Sequence, residues 1–333
     1  MTFSALNLLY DVAWMSSLLL IAKVIRSKVR FIQKLYIPAA LIAGFIGLFG
    51  GNQFLNIISF SSEISNYSSI LITFVFGSMF IGNKTKVSFK NMISSVGDCF
   101  LVNAAAEIAQ FGFFILLGIS VFPVFFKGIN SFFGLMLPAG FVGGHGTAAA
   151  IGSVLSDNGW NDATSIGQAF ATIGLLGGIL VGVAIINTGA RKGKTAIIKS
   201  VKDLQEEMLT GLVKEKDRSE FGENTVNAMS IDTLTWHFSL VLVAVGMAYG
   251  INKYLKMLFP SFSFPIYGLA LVCSIFLHKL LEIVHLSDFV DKKIIMHIGS
   301  SATDYLVAFG IASININVVI KYLVPIIFIS VIG

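Results

Sequence analysis

The stretch PAGFVGGHGTAAA, residues 138–150, decides how the rest of the chain is read. Its middle, Gly143-Gly144-His145-Gly146-Thr147, has little side-chain bulk beyond one imidazole and one hydroxyl. Three glycines in four positions disfavour an ordinary helix, each costing about 1 kcal/mol relative to alanine. Glycine instead permits tight turns and close approach of the backbone to a partner. In a soluble protein such a turn suits a phosphate, so the surroundings decide.

Those surroundings are apolar from end to end. Of 333 residues, 55% are hydrophobic and 12% charged, against about 25% charged in a typical soluble domain. Mean hydropathy is +0.83. This is an all-α, polytopic membrane protein with little soluble mass. The two cysteines, Cys99 and Cys273, sit in apolar runs and read as small packing residues, not as a disulfide or metal pair. Zinc, nucleotide and nucleic-acid patterns are absent from the sequence.

A hydrocarbon core of about 30 Å takes roughly 20 helical residues. Apolar spans are expected at 3–22, 38–58, 67–81, 94–120 and 163–186, and again at 234–251, 262–281, 295–313 and 318–332. Pro38 opens the second span, where a missing N–H costs least. The fourth span carries Asn103, Glu107 and Gln110, spaced to share one helix face. Polar groups at membrane depth turn towards a bundle interior or a cavity. Residues 191–229 form the only sizeable hydrophilic segment, a linker with an amphipathic helix expected at its start.

Charge placement orients the chain, because cytoplasmic loops collect Lys and Arg. With the N-terminus outside, segments 23–34, 84–90, 191–218 and 279–293 lie inside and hold all but four of the 23 basic residues. The exceptions are Lys127, Lys253, Lys256 and Lys321. This works only if residues 132–155 enter the bilayer and return to the same side, with the glycine turn as the tip of a re-entrant hairpin. Exposed backbone of that kind persists at membrane depth only when buried in protein or lining a cavity. Five crossings in the first half then start the second half on the opposite side, as in secondary transporters built from inverted repeats.

The run Gly143–Ala149, the glycine-rich span after it, the basic loop leading into Tyr36-Ile37-Pro38 and the turn Asn161-Asp162-Ala163-Thr164 closely resemble the sodium/glutamate symporter family. The resemblance is strongest over 96–187 and looser after 230. It implies two inverted-topology repeats of about five transmembrane helices, each with a re-entrant hairpin. The first repeat is 1–189, the linker 190–230 is cytoplasmic, and the second repeat, 231–333, is incomplete, lacking the second hairpin and the last helix. It further implies Na⁺-coupled import of L-glutamate or a similar small anion by alternating access, in a homodimer embedded in the lipid of a bacterial inner membrane. Na⁺ is the coupling ion, and no organic cofactor is expected.

Gly144, His145, Gly146, Thr147 and Gln110 are carried over by motif as substrate-binding residues, with Gly143 beside them. Read from the residues themselves, a hairpin tip offers backbone N–H groups to a carboxylate, and Thr147 and a neutral His145 are candidate donors to it. Na⁺ needs oxygen ligands, and Gln110, Glu107 and Asp304 are candidates; Thr303 and Asp304, together in SSATDY, residues 300–305, are also candidate substrate-binding residues, Asp304 for the substrate ammonium. A structural hydrogen bond from Glu107 to Gln168 or Thr172 is the alternative for that carboxylate. The alternative functions are a cation channel and a transport-inactive relative of the family; an enzyme is not expected.

Overall fold

The structure is a computed structural model that describes residues 4–83, 89–192, 194, 206–260 and 264–333. Fifteen α-helices are described. The first half contains α1 (Ala5–Lys28), α2 (Arg30–Lys34), α3 (Ala39–Gly50), α4 (Ile64–Ser78), α5 (Phe89–Ser120), α6 (Phe122–Phe125), α7 (Phe133–Phe141), α8 (Gly144–Asp157) and α9 (Ala163–Arg191). After the linker helix α10 (Glu206–Thr210) come α11 (Thr233–Leu258), α12 (Ile266–Ile283), α13 (Lys292–Ala312), α14 (Ile316–Lys321) and α15 (Leu323–Ile332). Among the described residues, six stretches are long and apolar enough to cross a membrane: Ala5–Lys28, Val96–Phe125, Ala163–Gly189, Thr233–Leu258, Ile266–Ile283 and Lys292–Ala312.

Local chemistry sets the helix starts. Pro38 and Pro265 are the N-caps of α3 and α12 in extended conformation, where a fixed φ and a missing N–H are tolerated. Asp232 caps α11 by accepting from the N–H groups of Leu234 and Thr235. Asp291 caps α13 through Lys293 N–H. It also receives Glu223 N–H at 2.6 Å. Burial pushes the Asp291 carboxyl up, but these backbone donors outweigh it and hold it below the usual range.

Two expected spans are corrected. The second ends at Gly50 rather than near residue 58, since Gly51 turns extended and a run of turns follows. The span expected at 318–332 is not one helix. It breaks at Tyr322, which is non-helical and stands three residues before Pro325. Lys321 bonds Asp162 at 2.8 Å and the Tyr322 ring packs on Phe133. These tertiary contacts hold the break open where hydropathy alone reads continuous helix. The start of the linker, where an amphipathic helix is expected, lies largely outside the described residues.

The centre is the pair α4 and α13. Ser68 Oγ donates to Leu306 O at 2.9 Å, and Ser78 lies against Gly299 near the other end. Rising numbers in one helix therefore meet falling numbers in the other, and the pair is antiparallel. Each of these helices packs on elements from the opposite half of the sequence. Helix α4 meets α11 and α12 through Phe74–Phe238 and Phe76–Tyr267 ring contacts. Helix α13 meets α1, where Tyr305 Oη lies 2.6 Å from Ser16 Oγ, and also packs on α3. Gln53 then ties the loop after α3 to the end of α13, donating to Ile314 O and accepting from Ile316 N–H.

Asp11, the acidic residue of the first span, is 1% exposed. Its carboxylate accepts from Ser61 N–H at 3.0 Å, from Ser61 Oγ, and from Tyr67 Oη at 2.6 Å. Asp11→Asn puts an NH2 where one of these donors needs an acceptor. An unpaired buried donor costs about 1–3 kcal/mol, so the thermal midpoint of the purified protein falls by several degrees. An unchanged midpoint would mean that the three bonds carry no net stability.

Candidate functional site

Helices α7 and α8 lie along α9 in opposite senses. Helix α7 starts with Phe133 and Met136 beside Phe170 and Gly167, and ends with Phe141 against Gly174. Helix α8 starts with His145 beside Thr172, passes Ala148 at Gly167 and reaches Gly152 at Thr164. The bend between them therefore sits beside residues 171–174 of α9. At 1.5 Å per residue that is ~15 Å from the start of α9, near half the thickness of a hydrocarbon core.

The bend is tighter than expected. Only Val142 and Gly143 fall outside helix, and GHG forms the first turn of α8. The reversal is concentrated at Gly144, with φ +67°, a conformation that costs little only for glycine. Helix packing overrides the weak propensity of the following residues. Gly146 lies so close to Ile72 of α4 that a Cβ there would collide with the isoleucine side chain.

A cavity of about 550 Å³ opens at this bend. One wall is the backbone of 140–146. Opposite are Ile72, Val75 and Phe76 of α4, and Thr303, Leu306 and Val307 of α13. Gly174 and Gly178 of α9 complete it, and no Lys or Arg is among its lining residues. The N-cap Gly143 supplies no side-chain hydrogen bond, so the first N–H groups of the 14-residue α8 have no side-chain acceptor. The positive end of the α8 dipole is therefore at the cavity wall.

His145 is 3% exposed, and its Nε2 lies 3.0 Å from Thr172 Oγ1. The Thr172 hydroxyl gives its single proton to Gln168 O at 2.9 Å. It therefore accepts from His145, which fixes the neutral ring as the Nε2–H tautomer. Gln168 Nε2 donates to His145 O at 3.1 Å, so two side chains of α9 grip the tip residue from both sides of its Cα. This corrects one expectation: the N–H of a neutral His145 is committed to Thr172 and is not available to a carboxylate. It corrects another as well, because Gln168 and Thr172 serve His145 and not Glu107. Thr172→Val leaves a buried N–H unpaired, a penalty of about 1–3 kcal/mol. Half-saturation for substrate uptake rises by about tenfold; a value within twofold of the native one would show that the tip needs no such anchor.

The structure brings Gly143, Gly144, His145, Gly146 and Thr303 to the cavity and leaves the other expected residues outside it. Thr147 is turned back against Gly143. Asp304 is exposed on α13, one residue and about 100° round the helix from Thr303, and the charge it faces is Lys23 of α1. Asn103 and Glu107 are exposed on α5, and Gln110 is half-buried with an Oε1 that has no hydrogen-bond partner. Helix α5 packs through Phe114 and Gly118 against Gly134 of α7. Asn103, Glu107 and Gln110 continue that same helix face towards the start of α5, but Asn103 and Glu107 are exposed and none of the three lines the cavity. Cys99 is exposed there, contrary to the packing role expected of it, whereas Cys273 is buried. Ile72, Val75, Phe76, Leu306 and Val307 were not foreseen, because an apolar residue in an apolar span carries no signal of the side it faces.

An all-helical, multi-pass membrane protein with a solute-sized cavity at a helix break is what fold and site define. The model of the sodium/glutamate symporter family matches residues 4–333, and the chain belongs to that family, a family of transporters and not of enzymes. Comparisons with curated proteins and with solved structures gave no match.

Proposed function

We propose that the chain is a Na⁺-coupled symporter that imports glutamate or a related anionic amino acid or dicarboxylate by alternating access. The observation that carries this reading is the cavity at the start of α8, where the helix N-terminus, without a side-chain cap, lines a space of about 550 Å³ with no basic side chain on its wall. A carboxylate is held there by amide donors and the helix dipole. Thr303 Oγ1, which donates to Gly299 O at 3.0 Å, keeps its lone pairs for an ammonium or a cation. Backbone carbonyls at the end of α7 are the remaining oxygen ligands for Na⁺. Gln110, Glu107 and Asp304 are not retained as ligands at this cavity, because the structure places them elsewhere.

In this reading residues 132–155 form a re-entrant hairpin. The opposite senses of α7 and α8, with their bend at mid-depth along α9, support it. The inverted repeat is supported by α1, α3 and α4 finding counterparts in α11, α12 and α13. A proline caps the second member of each set, and the third members are antiparallel. The N-terminus lies outside and the linker 190–230 in the cytoplasm, as the basic residues require. A homodimer in a bacterial inner membrane accounts for the exposed polar face of α5, since a carboxylate facing lipid costs several kcal/mol. Uptake of labelled glutamate into proteoliposomes tests the function. An inward Na⁺ gradient drives accumulation, and replacing Na⁺ by choline abolishes it; accumulation that ignores the ion swap would overturn the coupling.

A further inference from the structure

A second, smaller cavity of about 100 Å³ lies behind the hairpin, between α4, α8, α11 and the start of α12. Asn252 of α11 lines it and is 6% exposed, yet its Oδ1 is buried without a hydrogen-bond partner. A buried carbonyl oxygen left unpaired is costly unless something positive meets it. Around it stand Ser69 of α4, Ser153 and Asp157 of α8, and Tyr249 of α11. Ser69 gives its proton to Asn66 O at 2.8 Å, so that hydroxyl has lone pairs to offer.

We infer that this cavity is a Na⁺ site, distinct from the substrate cavity, built from Asn252 Oδ1, the Ser69 and Ser153 hydroxyls and the Asp157 carboxylate. Carbonyl, hydroxyl and carboxylate oxygens are the ligands that hard cations select. Two helices end at the cavity, α8 at Asp157 and α11 at Leu258, and their negative dipole ends favour a cation against the single positive end that α12 brings there. The volume takes an ion and two or three waters at about 30 Å³ each. It is well below the roughly 300 Å³ at which pockets for organic ligands begin. Among the described lining residues Lys256 is the one basic group, and it is exposed; a lysine stem is long enough to hold its ammonium in water clear of such a site. The site is mechanically tied to the substrate cavity, because α8 runs from His145 at one to Asp157 at the other, and α4 from Ile72 to Ser69. By the charge-derived orientation it opens to the outside, where Na⁺ is abundant.

The inference rests on the Na⁺-coupled reading, and the measurement keeps the two apart. Binding of ²²Na⁺ to the purified full chain in lipid nanodiscs is recorded without substrate. Asn252→Leu weakens Na⁺ binding at least tenfold, Asn252→Asp keeps it, Asp157→Asn weakens it at least threefold, and Lys256→Met tightens it. Asp157 is exposed, so its variant folds and decides the matter even if Asn252→Leu does not. Native ²²Na⁺ affinity in Asp157→Asn or in folded Asn252→Leu would overturn the site while leaving Na⁺-driven uptake standing. Loss of Na⁺ dependence in native uptake would instead remove the symport reading.

Discussion

Gly144→Val abolishes Na⁺-dependent uptake of labelled glutamate in proteoliposomes, with a loss of at least about 100-fold. The residue sits at φ +67° with nothing within 4 Å of a built Cβ, so the substitution meets no steric neighbour and acts through the backbone alone. A β-branched residue held in the left-handed region costs about 1–3 kcal/mol. The chain relieves that strain by shifting the first turn of α8, which moves the backbone that lines the cavity. A displacement near 1 Å at a binding centre is enough for losses of about 10²-fold. Gly144→Ala carries the same φ penalty with less crowding, and is expected between the native protein and Gly144→Val. Uptake at the native rate by correctly inserted Gly144→Val would remove the bend from the transport site.

Gly146→Ala tests the same tip by contact instead of backbone strain, and its effect is reversible at a second site. A Cβ at residue 146 collides with the side chain of Ile72 on α4. Overpacking of this kind costs about 1–3 kcal/mol, so uptake falls about tenfold or more. Ile72→Ala removes Cδ1 and Cγ1, two of the three colliding atoms, and leaves the Cβ, so relief is partial. The double variant therefore recovers at least about threefold of the activity lost in Gly146→Ala, a coupling expected only between residues in contact. Purely additive losses in the two variants would place the hairpin away from α4.

Much of this molecule is legible before folding. The apolar spans at 3–22, 163–186, 234–251 and 295–313 follow from hydropathy, and each overlaps a long helix. Pro38 marks a helix start because proline geometry is local. The glycine run marks a break because no tertiary contact is needed to know that Gly144 tolerates what other residues do not. The failures share a cause. Asn103, Glu107 and Gln110 do lie along α5, but periodicity tells only that they share a face, and where along it the packing on α7 stops is set by the tertiary structure. Asp304 follows Thr303 in sequence, and one helical step separates the cavity from the side of α1. The span expected at 318–332 breaks at Tyr322 because Phe133 and Asp162, far away in sequence, hold its neighbours.

By itself, the sequence determined the solvent in which the chain folds, the order of its long apolar helices, and a helix break at the glycine run. Each of these depends on transfer free energy or on backbone sterics, and both act within a few residues. Only the tertiary structure decided which side chains meet. It set α4 antiparallel to α13, let Thr172 and Gln168 of α9 grip His145, and left Asn252 with an unanswered oxygen. Inside a membrane the apolar side chains of a span are nearly equivalent to the solvent. The choice of neighbour is made by packing and by the few polar groups that must find partners, and that choice has no counterpart in a linear pattern.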